Sequence, residues 1–310
     1  MSTRSHGLTL DYALMDVFAE RPLEGNMLAI FTDARGLSDS QMQALAQEMN
    51  LSETSFIIPA ENARQEAEAG VRVRIFTTRE ELAFAGHPTL GTASWLYRNH
   101  PTLKGQETIT LALNFGSIQV RFRRPEPGEF PAPGDFAIMA QGEPWMGPVL
   151  PPADIARALG LSVNDLDPEN PAQLVSTGIT YCVVPLRSLE ALSKLEIPQA
   201  VAETYLASVG AKFFYCLAPA KPGSGPHFRA RMQFYNGEDP ATGSAGGCAA
   251  AYLVNRKVAA PDSTILIEQG VEIGRRSRLH VQASLRNERP WNVFVGGRTI
   301  PVASGRFLLP

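Results

Sequence analysis

A seven-residue phrase occurs twice in this chain, and the repetition limits the possible folds more than any other feature. His87-Pro88-Thr89-Leu90-Gly91-Thr92-Ala93 returns 152 residues later as Asp239-Pro240-Ala241-Thr242-Gly243-Ser244-Ala245. Self-similarity at a fixed offset of about half the chain implies an internal duplication. The form His/Asp-Pro-x-x-Gly-Thr/Ser-Ala reads as two helix N-termini of one design. Two like halves place a ligand most readily at their interface. The copies differ at the first position, imidazole in one and carboxylate in the other, and the search for chemistry begins there.

The duplication extends upstream. Arg72-Val73-Arg74-Ile75-Phe76 matches Arg229-Ala230-Arg231-Met232-Gln233-Phe234, both alternating as half-buried strands do. Glu53-Thr54-Ser55-Phe56-Ile57-Ile58-Pro59 lies against Phe213-Phe214-Tyr215-Cys216-Leu217-Ala218-Pro219, each a β-rich run stopped by proline. Amphipathic stretches precede these, Ser38 to Met49 and Pro198 to Val209. In the first, Leu37-Ser38-Asp39 supplies a cap and Met42, Leu45, Ala46 and Met49 make the apolar face. Each half thus reads strand, helix, strand, strand, helix, then a hairpin. The hairpins fall near Thr108–Phe122 and Thr264–Val281, broken at Asn114-Phe115-Gly116 and Gln269-Gly270.

A chain of 310 residues with 44% hydrophobic content can give each half its own core. The proline-rich stretch Pro125 to Pro152 marks the boundary, so the expected domains are 1–130 and 131–310, with a C-terminal strand that can return to the first. A net charge of −3 argues against a nucleic-acid surface. The densest basic run, Arg275-Arg276-Ser277-Arg278, reads as a solvated strand edge, with an anion site as the alternative. No apolar run reaches the ~18 residues of a membrane span, and Met1 to His6 lack the apolar core of a signal peptide. Cys182, Cys216 and Cys248 form no disulfide framework and are expected as buried thiols in a cytoplasmic protein.

Proline suits the first helical turn because its missing N–H needs no partner there, and it pushes the preceding His87 or Asp239 out of helical dihedrals. The helices that follow are built of small residues: Gly91, Ala93 and Ser94 in one, Gly243, Ala245, Gly246, Gly247 and Ala249 to Ala251 in the other. Such helices would be unstable alone in water, so each is expected threaded through a wrapped sheet with its N-terminus facing a ligand. A helix N-terminus favours anions. Two of them facing one cleft would receive a carboxylate or oxyanion; two ordinary capped helices are the plain alternative.

Glu53 is the candidate acid/base, a carboxyl at a strand start whose counterpart in the repeat is Phe213. A carboxyl against apolar walls has its pKa raised toward the range of a general base or acid. His87 at a helix N-terminus tends to be neutral, suiting it to hydrogen bonding or proton relay. Asp239 is expected to stay ionised and to orient His87 or bind a substrate amine. Ser244, like Thr92, offers a hydroxyl at the same mouth. No Cys/His spacing fits zinc, no glycine-rich dinucleotide or nucleotide loop is present, and Ser244 has no Gly-x-Ser-x-Gly setting. Cofactor-free, metal-free proton transfer at carbon remains, as isomerisation, epimerisation or a related elimination.

Several motifs resemble those of the PhzF-like family, named for phenazine biosynthesis. They are Asp16-Val17-Phe18, Gly25-Asn26-x-Leu28-Ala29, Asn50-Leu51-Ser52-Glu53-Thr54, Phe84-Ala85-Gly86-His87-Pro88-Thr89 and Glu238-Asp239-Pro240-Ala241-Thr242-Gly243-Ser244-Ala245. Glu268-Gln269-Gly270 with Gly274-Arg275, and Val295-Gly296-Gly297, complete the likeness over about residues 12 to 308. The resemblance implies an α+β, diaminopimelate epimerase-like fold: two similar domains, each a curved, mostly antiparallel sheet or barrel around a central helix. It also implies a homodimer acting on a small carboxylate. The family's type enzyme isomerises trans-2,3-dihydro-3-hydroxyanthranilate without a cofactor. By similarity Glu53 would be the acid/base, His87, Asp239 and Ser244 would complete the polar site, and Gly86 and Gly243 would give backbone contacts to substrate. Related epimerases and racemases carry a cysteine pair at the helix mouths; Ala85-Gly86-His87 and Asp239-Pro240 here leave no two-thiol racemisation. Met27 after Gly25-Asn26, where the family often has proline, and the short Tyr235-Asn236-Gly237 loop are departures that bear on the substrate. An amino-acid epimerase and a non-catalytic binding protein of the same fold are the alternatives.

Overall fold

The computed structural model describes residues 8–123, 133–235 and 237–309. The chain forms two compact units, Met1–Met139 with Arg298–Pro310, and Ala140–Gly297. The expected division after residue 130 lies outside the described residues. The C-terminal segment belongs to the first unit.

The first unit contains β1 (Leu8–Val17), β2 (Asn26–Phe31), α1 (Asp39–Met49), β3 (Thr54–Ile58), α2 (Ala63–Ala69), β4 (Val71–Phe76), β5 (Glu81–Leu82), α3 (Gly86–Asn99), β6 (Thr108–Leu113), β7 (Gly116–Arg123) and β8 (Asp135–Ala140). The second contains β9 (Trp145–Val149), α4 (Pro152–Leu159), β10 (Gln173–Ser176), β11 (Thr180–Pro185), α5 (Leu189–Ser193), α6 (Gln199–Val209), β12 (Phe213–Pro219), β13 (Phe228–Arg231), β14 (Gln233–Phe234), β15 (Gly237–Glu238), α7 (Gly243–Asn255), β16 (Ile265–Gln269) and β17 (Ser277–Arg286). The long β18 (Arg289–Leu309) pairs first with β17, from Arg286↔Arg289 to His280↔Gly296, and then with β1, from Val17↔Thr299 to Leu8↔Leu309.

The duplication is visible in the strand directions. In the first unit β1 is antiparallel to β2, β2 parallel to β3, β3 antiparallel to β4, β4 parallel to β6 and β6 antiparallel to β7. In the second, β10, β11, β12, β13, β16 and β17 follow the same sequence of directions. Each sheet is therefore mostly antiparallel, with two parallel contacts in the same places.

Each sheet has a different helix on each face. In the first unit, Leu10, Phe31, Phe56 and Phe76 pack with Met42, Leu45 and Ala46 of α1. The capping box of Ser38 and Gln41 starts α1, and Asn50 ends it in the left-handed conformation at φ 49°. On the other face lies α3, buried continuously from Gly86 to Ser94. Its closeness depends on Gly91, where an added Cβ would stand 2.6 Å from Leu28 Cδ2 and 2.8 Å from Val17 Cγ2. In the second unit α7 is buried from Gly243 to Val254, and α4, α5 and α6 cover a separate apolar layer with Leu174, Val184 and Phe214. The small-residue pattern thus marks central helices, as expected.

The proline-rich stretch contains more strand than its composition suggests. Pro148 lies in β9, whose pairing among the described residues is with β10. Proline is tolerated on an edge strand because no ladder donor is lost. The two hairpins form as expected, β6–β7 and β16–β17. No helix among the described residues is long and apolar enough to cross a membrane.

Candidate functional site

In the first unit, α3 and the approach to β3 bring Glu53 and His87 together. Glu53 follows the left-handed turn at Asn50 and directly precedes β3. Its Oε2 lies 3.4 Å from His87 Nδ1, with the carboxylate side chain 18% exposed and the imidazole 4%. Asn26, the first residue of β2, places its Nδ2 3.4 Å from the same Nδ1. His87 Nε2 is buried and has no hydrogen-bond partner. Desolvation brings the His87 pKa down to about 3, against a weaker opposing pull from the Met27 backbone. The ring is therefore neutral at neutral pH, and its contact with Glu53 is a hydrogen-bonding contact rather than an ion pair.

Two neutral tautomers are open to the ring, whose partners are Glu53, Asn26 and the Met27 backbone. With the proton on Nδ1 the ring donates to Glu53 and presents a bare Nε2 lone pair. With the proton on Nε2 it accepts from Asn26 and presents a donor.

In the second unit the predicted residues cluster around the start of α7. Asp239 is 7% exposed and its Oδ2 accepts from Thr242 Oγ1 at 2.6 Å. Ser244 is the second residue of α7, and its Oγ lies 2.7 Å from Tyr181 Oη. Gln269 at the end of β16 donates from Nε2 to the Asp239 carbonyl at 2.8 Å. Gly270, at φ +74°, lets β16 end against this turn: a Cβ there would meet Arg275 O at 2.3 Å and Pro240 O at 2.7 Å.

Both central helices begin without a side-chain cap. The residue before α3 is Ala85 and that before α7 is Thr242, and neither makes a capping bond. Gly86, His87, Gly243 and Ser244 are nevertheless buried. By contrast, Ser38, Asn62 and Ser188 cap α1, α2 and α5. Buried, uncapped helix starts are suited to an anionic group, because the first-turn N–H groups and the helix dipole both favour it.

The structure corrects the register of the repeated phrase. Arg74 forks onto Glu81 at 2.7 and 2.6 Å, and Arg231 forks onto Glu238 at 2.9 and 2.7 Å. These pairs, and the helix starts Gly86 and Gly243, are all related by an offset of 157 rather than 152. His87 therefore corresponds to Ser244, and Asp239 has no counterpart at a helix mouth. His87 sits inside α3 with Pro88 in its first turn, whereas Asp239 and Pro240 lie outside α7. Proline is compatible with either place, so the phrase matched two different segments. Phe213 remains the counterpart of Glu53: Phe56 faces Arg74 in one sheet and Cys216 faces Arg231 in the other.

Cys182, Cys216 and Cys248 are free and buried, and burial pushes the Cys216 and Cys248 thiols up to about 12. In the basic run, Arg276 approaches Glu268 at 3.4 Å. Tyr181, Tyr215 and Thr242 were given no individual role by sequence. Tyr181 and Tyr215 read as ordinary strand aromatics, and only their hydroxyl partners distinguish them.

Comparison with known proteins adds relatives along the whole chain. A family model described as phenazine biosynthesis-like protein matches residues 15–305. The trans-2,3-dihydro-3-hydroxyanthranilate isomerase of Pseudomonas aeruginosa is 35% identical over 305 residues, covering 96% of this chain and 99% of that protein. A solved structure described as a predicted epimerase, also from Pseudomonas aeruginosa, is 37% identical with a TM-score of 0.80, covering 97% of this chain and all of its own. A PhzF-family phenazine biosynthesis protein of Bacillus anthracis is 26% identical with a TM-score of 0.84, over the same shares. These matches, on an α+β fold of the diaminopimelate epimerase type, show that the chain belongs to the phenazine biosynthesis-like PhzF family and is an isomerase.

Proposed function

We propose that this isomerase moves a proton on a small carboxylate without a cofactor, with Glu53 as the general acid/base. The observation that carries this reading is the 3.4 Å contact between the Glu53 carboxylate and a buried, neutral His87 at the uncapped start of α3. Glu53 takes a proton from a carbon flanked by unsaturation, and the C–H electrons pass into the conjugated system. The same carboxyl then returns the proton to another carbon of that system, so atoms and charge balance without an external reagent. His87, as a neutral ring, holds the carboxylate in place by hydrogen bonding.

Gly86 is assigned a backbone contact to the substrate. Asp239 is assigned to the catalytic site with Glu53 and His87, and Gly243 and Ser244 keep the substrate-binding roles that the family resemblance implies. The substrate class is supported by the relative named as acting on trans-2,3-dihydro-3-hydroxyanthranilate. Epimerisation is the second reading, favoured by the structural relative described as a predicted epimerase. The two differ in outcome: isomerisation shifts the ultraviolet spectrum of a conjugated substrate, whereas epimerisation changes optical rotation alone. Turnover of the dihydro compound by wild type, with Glu53→Gln slower by roughly 10²-fold or more, is the expected result. Equal turnover by the two proteins would remove Glu53 from the mechanism.

A further inference from the structure

The second unit contains a buried hydrogen-bond chain that ends on Asp239, and the backbone fixes its direction. The Gln269 side chain is fully buried. One end of its amide faces the Thr242 N–H at 3.2 Å, a donor, so that end is Oε1. The other faces the Asp239 carbonyl at 2.8 Å, an acceptor, so that end is Nε2. The remaining polarities follow. Tyr215 donates its hydroxyl hydrogen to Oε1 at 3.1 Å, and burial holds that phenol protonated. Nε2 donates to Thr242 Oγ1 at 3.0 Å, which turns the threonine hydrogen onto Asp239 Oδ2 at 2.6 Å. The order is Tyr215 to Gln269 to Thr242 to Asp239.

This chain also affects α7. Threonine before a helix commonly accepts from a first-turn N–H. Here its hydroxyl is engaged by Gln269 and Asp239, and α7 starts with no side-chain cap. The chain is absent from the first copy of the fold. Arg229 stands opposite Glu268 as Arg72 stands opposite Ala112, so the counterpart of Gln269 is Leu113. The repeated architecture does not require a polar residue at this position.

We propose that Gln269 and Thr242 are positioning residues: Thr242 aims the Asp239 carboxylate, and Gln269 holds the Thr242 hydroxyl on that carboxylate and away from the first turn of α7. The proposal rests on the reading of Asp239 as a residue of the catalytic site. The test is the titration of the Asp239 side-chain carboxyl by carbon-13 NMR, together with kcat and KM. Thr242→Val keeps the shape and removes the hydroxyl, and Thr242→Ser restores it. In Thr242→Val the Asp239 carboxyl is expected to titrate about one pH unit above wild type, since a bond to its charged form is lost. The kcat/KM of that variant should fall about tenfold, the loss expected for one hydrogen bond to a charged group. Thr242→Ser should match wild type in both.

Thr242→Val with a lowered melting temperature but a wild-type Asp239 titration would show a merely structural role and overturn the proposal. The titration needs no substrate, so it separates the two readings. If it moves while Glu53→Gln keeps full turnover, the positioning role stands and the isomerase mechanism falls.

Discussion

At the residue scale, His87 shows how burial chooses a protonation state. Its folded pKa of about 3 lies below the ordinary 6.5. Between those values the unfolded chain binds a proton that the folded chain refuses. The stabilising contribution of neutral His87 is thus complete above pH 6.5 and declines as pH falls toward 3. Urea unfolding of wild type and His87→Gln between pH 7 and pH 4 should show wild type losing stability relative to the variant on acidification. Parallel profiles would contradict a buried neutral ring. Sequence made Glu53 and His87 visible, because their types and motifs are chemically distinctive. It did not single out Thr242 or Gln269, whose roles depend on which hydrogen faces which oxygen.

At the element scale, the central helices explain why glycine and alanine recur where a surface helix would use larger residues. Gly91→Ala would ordinarily favour a helix by ~1 kcal/mol. In α3 the new methyl would fall against Leu28 and Val17, both fully buried. Overpacking costs about 1–3 kcal/mol, so after the helix gain of ~1 kcal/mol the expected net result is destabilisation by up to about 2 kcal/mol, measured by denaturant unfolding. A more stable variant would refute the close packing of α3 on β1 and β2. Local signals located most elements well. Ser38 starts α1 and Gly210 ends α6, where each pattern suggested. The helix starts were misaligned because Pro88 and Pro240 carry the same local preference in different settings. The Arg–Glu forks, which link residues seven apart through side chains, and the observed helix starts Gly86 and Gly243 resolve the register.

At the scale of the whole molecule, duplication was legible because both copies preserve strand patterns, a small-residue helix and a hairpin. The matched strand directions then show how completely the copies correspond. The return of Arg298–Pro310 to the first unit has no local signature, since any alternating strand can pair with any compatible edge. The family resemblance implies a homodimer, so light scattering is expected to give twice the chain mass of 33.6 kDa. A monomer at micromolar concentration would contradict that expectation while leaving the catalytic reading intact.

The most direct measurement follows proton exchange in heavy water. Wild type and Glu53→Gln would each be incubated with trans-2,3-dihydro-3-hydroxyanthranilate, with absorbance and substrate deuteration recorded together. The expected result is a spectral shift with deuterium incorporation by wild type, and both slower by roughly 10²-fold or more in Glu53→Gln. Equal exchange and turnover by the two proteins would contradict proton transfer by Glu53.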